Sequence, residues 1–226
     1  MGRWGLNLHQ LKEIIENKLQ GTDLDVTIFE PNTAIREVMK KERVKLTPAR
    51  ALMLHGLYDL VRNEGMVSEF SAEKVCYFLS RFGAGKYFKL DFQPYFYGPY
   101  SGKIKRILHA LNGSYITGYS DMSKKPFEAL SLVADALPEV NQYISSDPDL
   151  SKIAHKTTDY LAGFYSDFSL ELLSSVDYLC NEHQTFDKEK IKGHLNEWSS
   201  RKSNMFANDR YIDIAIKKVS QAQELR

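Results

Sequence analysis

Apolar residues recur at helical spacing along most of this chain, which predicts α-helices as its main element. Residues 8–19 place their apolar side chains on one helical face, and Gly21 follows as a helix stop. The same period returns at Thr47-Pro48, an N-cap followed by proline, and it continues to Gly65. The further predicted helices are 72–82, 101–113, 135–145, 149–165, 169–183, 187–200 and 208–223. Their predicted N-caps are Ser71, Asp149, Ser169, Asp187 and Asn208.

Short alternating segments predict a minor strand component. Residues 24–28 alternate apolar and polar positions before Pro31, and Phe88, Leu90 and Phe92 alternate in the same way. Gly98-Pro99 predicts a turn, and residues 114–121 and 127–133 predict two further short strands. The fold class is therefore predicted as mainly α (α+β), a bundle-like helical domain with a small antiparallel strand element.

The pattern also predicts how the chain is divided. Residues 1–31 contain one helix and one strand, which cannot form a sheet alone because a single strand leaves its backbone edges unpaired. Residues 32–46 are charged and net basic, which indicates a linker. The main domain is predicted to run from residue 47 to 226.

Composition excludes several classes of protein. The chain has 226 residues, of which 43% are apolar, so it can bury a core and is not a disordered polymer. Cys76 and Cys180 lie far apart inside helical patterns, which favours reduced thiols and a cytoplasmic location. The N-terminus does not resemble a signal peptide, and no apolar segment is long enough to span a membrane.

The overall charge hides two opposed regions. Lys and Arg number 30 against 29 Asp and Glu, so the net charge is +1. Residues 128–189 nevertheless carry 12 acidic and three basic residues, a net charge of −9, which leaves +10 for the rest of the chain. An overall balance near zero argues against a general nucleic-acid binder.

Motifs for catalysis or cofactor binding are absent from the sequence. It contains no Walker loop, dinucleotide-binding glycine pattern, zinc-protease motif or cysteine-rich metal spacing. His183 and His194 have no cysteine or third histidine nearby, which is weak support for a metal site. No cofactor and no metal are therefore predicted.

The most aromatic segment carries a family resemblance. Residues 86–100 contain seven aromatic rings and end in Tyr97-Gly98-Pro99-Tyr100. Together with LTPARA (46–51), EKVCYFL (73–79), SLELLSSVDYL (169–179) and HLNEWSSRKSNMF (194–206), this segment resembles the C-terminal domain of the DarG antitoxin family and the wider Panacea class typified by SocA. Residues 5–31 resemble the last helix and strand of the DarG macrodomain, whose ADP-ribose-binding loops the sequence lacks.

The resemblance implies a partner and a function. Members of this family are antitoxins whose C-terminal domain is thought to bind DarT, a toxin that ADP-ribosylates DNA. The chain is therefore expected to be a non-enzymatic antitoxin domain that blocks the DNA groove of a DarT-like toxin by imitating DNA with an acidic face. No direct DNA binding is expected. The predicted partner-binding residues are Asp147, Asp149, Asp159, Asp167, Glu171 and Asp177.

A second set of residues is predicted to support the fold. In the motif that ends at Tyr100, Gly98 and Pro99 fix the turn and Tyr97 packs beneath it, and Trp198 and Phe206 close the C-terminal helices onto the core. Three alternatives to the antitoxin remain at this point. The first is a fragment of an ADP-ribosyl-DNA hydrolase. The second is a nucleic-acid-binding module that uses the basic linker at 36–45, the helix face with Lys103, Lys105 and Arg106, and the aromatic residues. The third is an adaptor that delivers a partner to a protease.

Overall fold

The computed structural model describes residues 8–22, 43–119 and 125–224 and confirms a mainly helical protein. The chain divides into two compact units, residues 1–41 and 42–226. In the first, helix α1 spans Leu8–Leu19 and ends where Gly21 adopts a positive φ of 88°. The strand predicted at residues 24–28 and residues 32–42 of the linker predicted at 32–46 lie outside the described residues.

The described part of the second unit is built from helices and two pairs of short strands. The helices are α2 (Pro48–Arg62), α3 (Glu69–Leu79), α4 (Gly85–Phe88), α5 (Ile104–Leu111), α6 (Leu137–Ser145), α7 (Pro148–Leu161), α8 (Asp167–Glu182), α9 (Lys188–Trp198), α10 (Ser200–Met205) and α11 (Asp209–Glu224). Helix α2 packs against α3, α6 and α7, and helix α8 packs against α3, α9 and α11. Among the described residues, no helix has the length and apolar character needed to cross a membrane.

The two strand pairs are both antiparallel. Strands β1 (Gln93–Tyr95) and β2 (Gly98–Tyr100) form a hairpin, and β3 (Ile116–Thr117) pairs with β4 (Ser131–Leu132). The second pair confirms the strands predicted at 114–121 and 127–133. Gly98 and Pro99 of β2 and Ile116 of β3 are buried, whereas β1 is exposed throughout.

The aromatic segment differs from its prediction. Residues 85–88 form helix α4, Lys89 takes a left-handed conformation, and the first strand begins only at Gln93. Phe88 is buried and Phe92 is half-buried against the core, but they reach it from a helix end and a loop instead of a strand. The turn lies at residues 96–97, so the predicted turn at Gly98-Pro99 is wrong and both residues belong to β2.

Three predicted N-caps are displaced by two or three residues. The observed caps are Ser68, Asp147 and Ser166, where Ser71, Asp149 and Ser169 were predicted. In two of these helices a second serine occupies the third helical position, and the Ser71 hydroxyl accepts a hydrogen bond from the Ser68 amide. Because serine serves in both positions of such reciprocal capping pairs, the sequence motif alone does not distinguish them. Asp187 and Asn208 cap their helices as predicted.

Candidate functional site

The β1–β2 hairpin organises the polar chemistry of the helical unit. Its strands pair Gln93 with Tyr100 and Tyr95 with Gly98, which places residues 96 and 97 at the tip. Tyr95 and Phe96 are exposed, with 62% and 53% of their surface accessible. The Trp198 indole Nε1 donates a hydrogen bond to the Tyr95 carbonyl over 3.0 Å, so α9 holds one strand of the hairpin in place.

The other strand of the hairpin lies over α3 and α8. Gly98 has a φ of +103°, and a Cβ atom there would lie 3.1 Å from both Lys74 Nζ and Ser175 Oγ. The Lys74 ammonium donates to the Pro99 carbonyl at 2.9 Å and is buried. Only glycine combines this conformation with this close approach, so Gly98 permits a charged group to reach the hairpin backbone.

An ion network lies beneath the tip, and we call its acid, Glu171, saturated because both of its carboxylate oxygens have hydrogen-bond donors. On α8, Glu171 Oε2 accepts a hydrogen bond from Arg201 Nη2 at 3.0 Å, and Glu171 Oε1 accepts from Lys202 Nζ at 2.9 Å and from Arg201 Nη1. Lys202 also donates to Ser175 Oγ at 3.0 Å. Burial tends to raise the pKa of Glu171, but Arg201 and Lys202 outweigh it and hold the pKa below its usual value. The guanidinium of Arg201 also lies over the ring of Tyr97 at 5.0 Å, so the network ties the tip to α8 and α10.

A small pocket opens on the other side of Gly98, between α3 and the hairpin. Its volume is about 90 Å³, and its polar side chains are two acids, one amine and the tyrosines of the hairpin. The lining residues are Glu69, Phe70, Glu73, Lys74, Tyr95, Tyr97, Gly98, Tyr100 and Pro126. Glu69 and Glu73 lie one helical turn apart on α3, which places both on the same face.

The two acids of the pocket differ in their hydrogen bonding. Glu69 Oε2 accepts a hydrogen bond from the Tyr119 hydroxyl. Glu73 Oε2 accepts from the Ser101 amide at 3.1 Å, while Glu73 Oε1 is buried and has no hydrogen-bond partner among the described residues. Burial raises the pKa of Glu73 to about 7 against the opposing influence of the Ser101 amide and Lys74. A buried carboxylate oxygen without a partner is costly, so this pocket contains the least satisfied acid of α3.

A larger cavity of about 270 Å³ lies between α7 and α11. It is mainly apolar, with Phe82 and Tyr160 in its wall and Lys218 and Asp159 among its polar residues. The Lys218 ammonium lies over the Tyr160 ring at 5.6 Å, and burial lowers its pKa. We identify the smaller pocket as the candidate site, because its polar groups converge on one point.

The six predicted acidic residues do not share one exposed face. Glu171 and Asp177 are buried, with 2% and 3% of their surface accessible, and both bind cations of this chain. Asp177 accepts from the Tyr77 hydroxyl at 2.6 Å and from Arg81 Nε at 2.7 Å. The expectation that these two acids face outward is therefore wrong. The residues next to these two acids along α8 do not indicate whether the acids are buried or exposed. Only the packing of α8 in the folded protein determines that they are buried.

The other four predicted acids are half-buried or exposed, and they have separate roles. Asp147 caps α7 by accepting bonds from the amides of residues 149 and 150, and Asp149 forms an ion pair with Lys86 at 2.9 Å. Asp159 lines the larger cavity, and burial raises the pKa of Asp167 at the start of α8. Whether these four contact a partner stays a prediction.

The residues predicted to support the fold are buried or half-buried. Pro99 and Phe206 are buried, and the half-buried Trp198 and Tyr97 pack against the core. Tyr100 stacks on Tyr95 with ring centres 5.1 Å apart.

The rings of His183 and His194 stack with their centres 3.6 Å apart. Among the described residues, no three His, Cys, Asp or Glu side chains form a metal-binding group.

Sequence reasoning missed the residues that carry the buried charge of this region. They are Glu69, Glu73, Lys74, Arg201 and Lys202. Glu73 and Lys74 directly precede the apolar run VCYFL (75–79), and the sequence signal available for them was this charged pair beside a buried run. Charged residues in an apolar helix face are rare unless they are paired or serve a ligand.

Comparison with known proteins identifies enzymes as relatives. The DNA ADP-ribosyl glycohydrolase of Thermus aquaticus is 30% identical over 208 residues, which cover 89% of this chain and 56% of the relative. The proteins of the same name from Mycobacterium bovis and Mycobacterium tuberculosis are each 21% identical over 234 residues, covering 97% of this chain and 66% of theirs. The chain thus spans less than two thirds of the length of these relatives, and no protein-family model matches it.

These relatives correct the functional expectation. They support the resemblance to the DarG family, but they are named as glycohydrolases, so the expectation of a non-enzymatic antitoxin domain that imitates DNA is overturned. The finding favours the hydrolase alternative instead. The predicted DarT-like partner stays a prediction. Over most of its length, this chain is related in sequence to DNA ADP-ribosyl glycohydrolases.

Proposed function

We propose that this chain is a portion of a DNA ADP-ribosyl glycohydrolase, an enzyme that releases ADP-ribose from modified DNA. The observation that carries the proposal is the 30% identity to the Thermus aquaticus enzyme over 208 residues. That match covers 89% of the chain, so it includes most of the helical unit. Hydrolysis of this kind adds water across the glycosidic bond, giving ADP-ribose and restoring the DNA group that carried it.

The resemblance supports a finer placement within such an enzyme. We place residues 42–226 in the C-terminal part of the protein and residues 5–31 at the end of its macrodomain. The motifs that support this placement are the Tyr97-Gly98-Pro99-Tyr100 hairpin and the segments that pack around it, 73–79, 169–179 and 194–206. In this arrangement the helical unit is an accessory domain of the hydrolase.

The test is hydrolysis of a single-stranded oligonucleotide that carries ADP-ribose. The whole polypeptide encoded by the gene is incubated with the modified oligonucleotide, and the released ADP-ribose is measured by mass spectrometry. We expect release that grows with time and is proportional to enzyme. A folded polypeptide that releases no more than buffer would overturn the proposal.

A second arm locates the activity. Residues 1–226 are incubated with the same substrate, with their helical circular dichroism recorded as a control for folding. The accessory placement predicts that the whole polypeptide acts faster than this chain. Equal rates per molecule would contradict that placement and assign the hydrolytic centre to the present sequence.

A further inference from the structure

The pocket beside Gly98 has the chemistry of a cation site. Glu69 and Glu73 contribute two carboxylates and Lys74 one amine, so the charged groups of its lining sum to −1 when all are ionised. Lys74 directs its ammonium to the Pro99 carbonyl, and burial lowers its pKa to about 7.

Because one carboxylate oxygen of Glu73 has no hydrogen-bond partner among the described residues, the pocket favours a ligand that donates a hydrogen bond. Glu73 is 2% exposed, its Oε2 is used by Ser101, and its Oε1 has no partner among the described residues. A hydrogen-bond donor that enters the pocket would satisfy that oxygen, and a positively charged donor would also offset the burial of the carboxylate. An anion would instead meet two carboxylates.

The shape of the pocket limits the size of its ligand. A volume of about 90 Å³ is well below the range of sites for nucleotides and drug-sized molecules, which starts at roughly 300 Å³. The walls include the rings of Tyr95, Tyr97 and Tyr100. Aromatic faces beside carboxylates favour a flat, delocalised cation, because it stacks on a ring while its N–H groups bind the acid.

We propose that this pocket binds the guanidinium group of an arginine side chain presented by another polypeptide. Glu73 Oε1 accepts from the guanidinium, Glu69 contributes a second negative charge, and the hairpin tyrosines stack on its plane. The side chain enters between α3 and β2, next to the exposed Tyr95. This site is independent of the glycohydrolase proposal, because it concerns binding and needs no hydrolysis.

The experiment is a titration of the whole chain with three matched peptides. The probes are acetyl-Gly-Arg-Gly-amide and the versions with citrulline or lysine in place of arginine, followed by amide chemical shifts in ¹H–¹⁵N spectra. We expect saturable shifts with the arginine peptide at millimolar concentration, centred on residues 69–74 and 95–102. Citrulline has nearly the same shape without the charge, so it should not saturate.

Two variants connect the binding to the unsatisfied acid. Glu73→Gln keeps the shape and removes the charge, and we expect affinity for the arginine peptide to fall about tenfold or more. Glu182→Gln, an exposed acid at the end of α8, is the matched control and should bind as the unchanged chain does. The spectrum of each variant without peptide verifies its fold.

Several results would overturn this assignment. They are the absence of saturable shifts with the arginine peptide, equal binding of the citrulline peptide, and undiminished binding by folded Glu73→Gln. Binding of the lysine peptide as tight as that of arginine would overturn the guanidinium assignment, since stacking and a flat donor array would then contribute nothing.

Discussion

Two buried acids on neighbouring helices have opposite environments. Both carboxylate oxygens of Glu171 on α8 accept hydrogen bonds from Arg201 or Lys202. On α3, one oxygen of Glu73 accepts from Ser101, and the other has no partner among the described residues. Both are 2% exposed, so burial does not distinguish them. The difference lies in the number of donors supplied by the fold. A saturated acid stabilises the fold, and an unsaturated one is available for a ligand.

The largest effect is expected where the acid is saturated. Replacing Glu171 with Gln leaves the fully buried Lys202 ammonium without a charged partner, which should lower the free energy of unfolding by about 3 kcal/mol or more. Urea denaturation measures this change, with Glu182→Gln as an exposed control on the same helix. A loss below about 1 kcal/mol would show that the network is weak and that the comparison of the two acids fails.

Gly98 lies between the two acids, and its substitution tests whether the hairpin must approach this closely. Gly98→Ala forces a Cβ to within 3.1 Å of Lys74 Nζ and Ser175 Oγ at a φ of +103°, so we expect a loss of roughly 1–3 kcal/mol. Gly193→Ala in α9 is the matched control, because its Cβ would meet no atom within 4 Å. A helix interior favours alanine over glycine by roughly 0.5–1 kcal/mol, so that variant should gain stability. Thermal melts of both proteins provide the measurement, and similar shifts in the two would contradict the close approach.

The unsaturated acid should make stability depend on pH. Burial raises the pKa of Glu73 from 4.5 to about 7, opposed by the Ser101 and Gly102 amides and by Lys74 and reinforced by Glu69. The folded state therefore holds this proton more tightly than the unfolded chain, and stability from this group is lost as pH rises from about 4.5 to 7. Glu73→Gln lacks this loss, so it should gain stability relative to the unchanged chain between pH 5 and pH 8 by urea denaturation at each pH. A constant difference across that range would show that Glu73 titrates normally.

The smallest effect is expected at an exposed ion pair. Asp149 and Lys86 form a 2.9 Å contact in which each side chain is more than half exposed. The partner lowers the pKa of Asp149, but solvent screens such pairs. Asp149→Asn should leave the urea midpoint unchanged within error at moderate salt. A clear loss of stability would mean that an exposed ion pair contributes as much to the free energy of unfolding as the buried ion pairs of Glu171. The proposed difference between buried and exposed acids would then be wrong.

Several features of the fold could be predicted from local sequence. The helical period of residues 8–19 and the glycine after it give α1, and the N-caps Thr47 and Asp187 begin helices as expected. These features depend on groups within one or two helical turns, so a short window contains the required information. The strand predicted at 88–92 is wrong because alternating rings also occur where a helix end and a loop both face a core.

The candidate site could not be predicted in the same way. Glu73 and Ser101 are 28 residues apart, Glu171 and Lys202 are 31 apart, and Tyr77 and Asp177 are 100 apart. Nothing in the sequence around Glu171 or Asp177 distinguishes a buried acid from one on a solvated helix face. The charge block at 128–189 therefore predicted an acidic surface, although two of its six proposed contact residues are internal.

The sequence by itself determined most of the helices and the small strand component. It also determined the relationship to the glycohydrolases. The tertiary structure alone decided which acids are paired, since a carboxylate becomes satisfied only when a donor from a distant segment reaches it. Glu171 received two cations from α10, and the hydrogen bonds from Ser101 reach only one oxygen of Glu73. Hydrogen bonds act over about 3 Å in space, at any separation along the chain, so only the folded arrangement determines them.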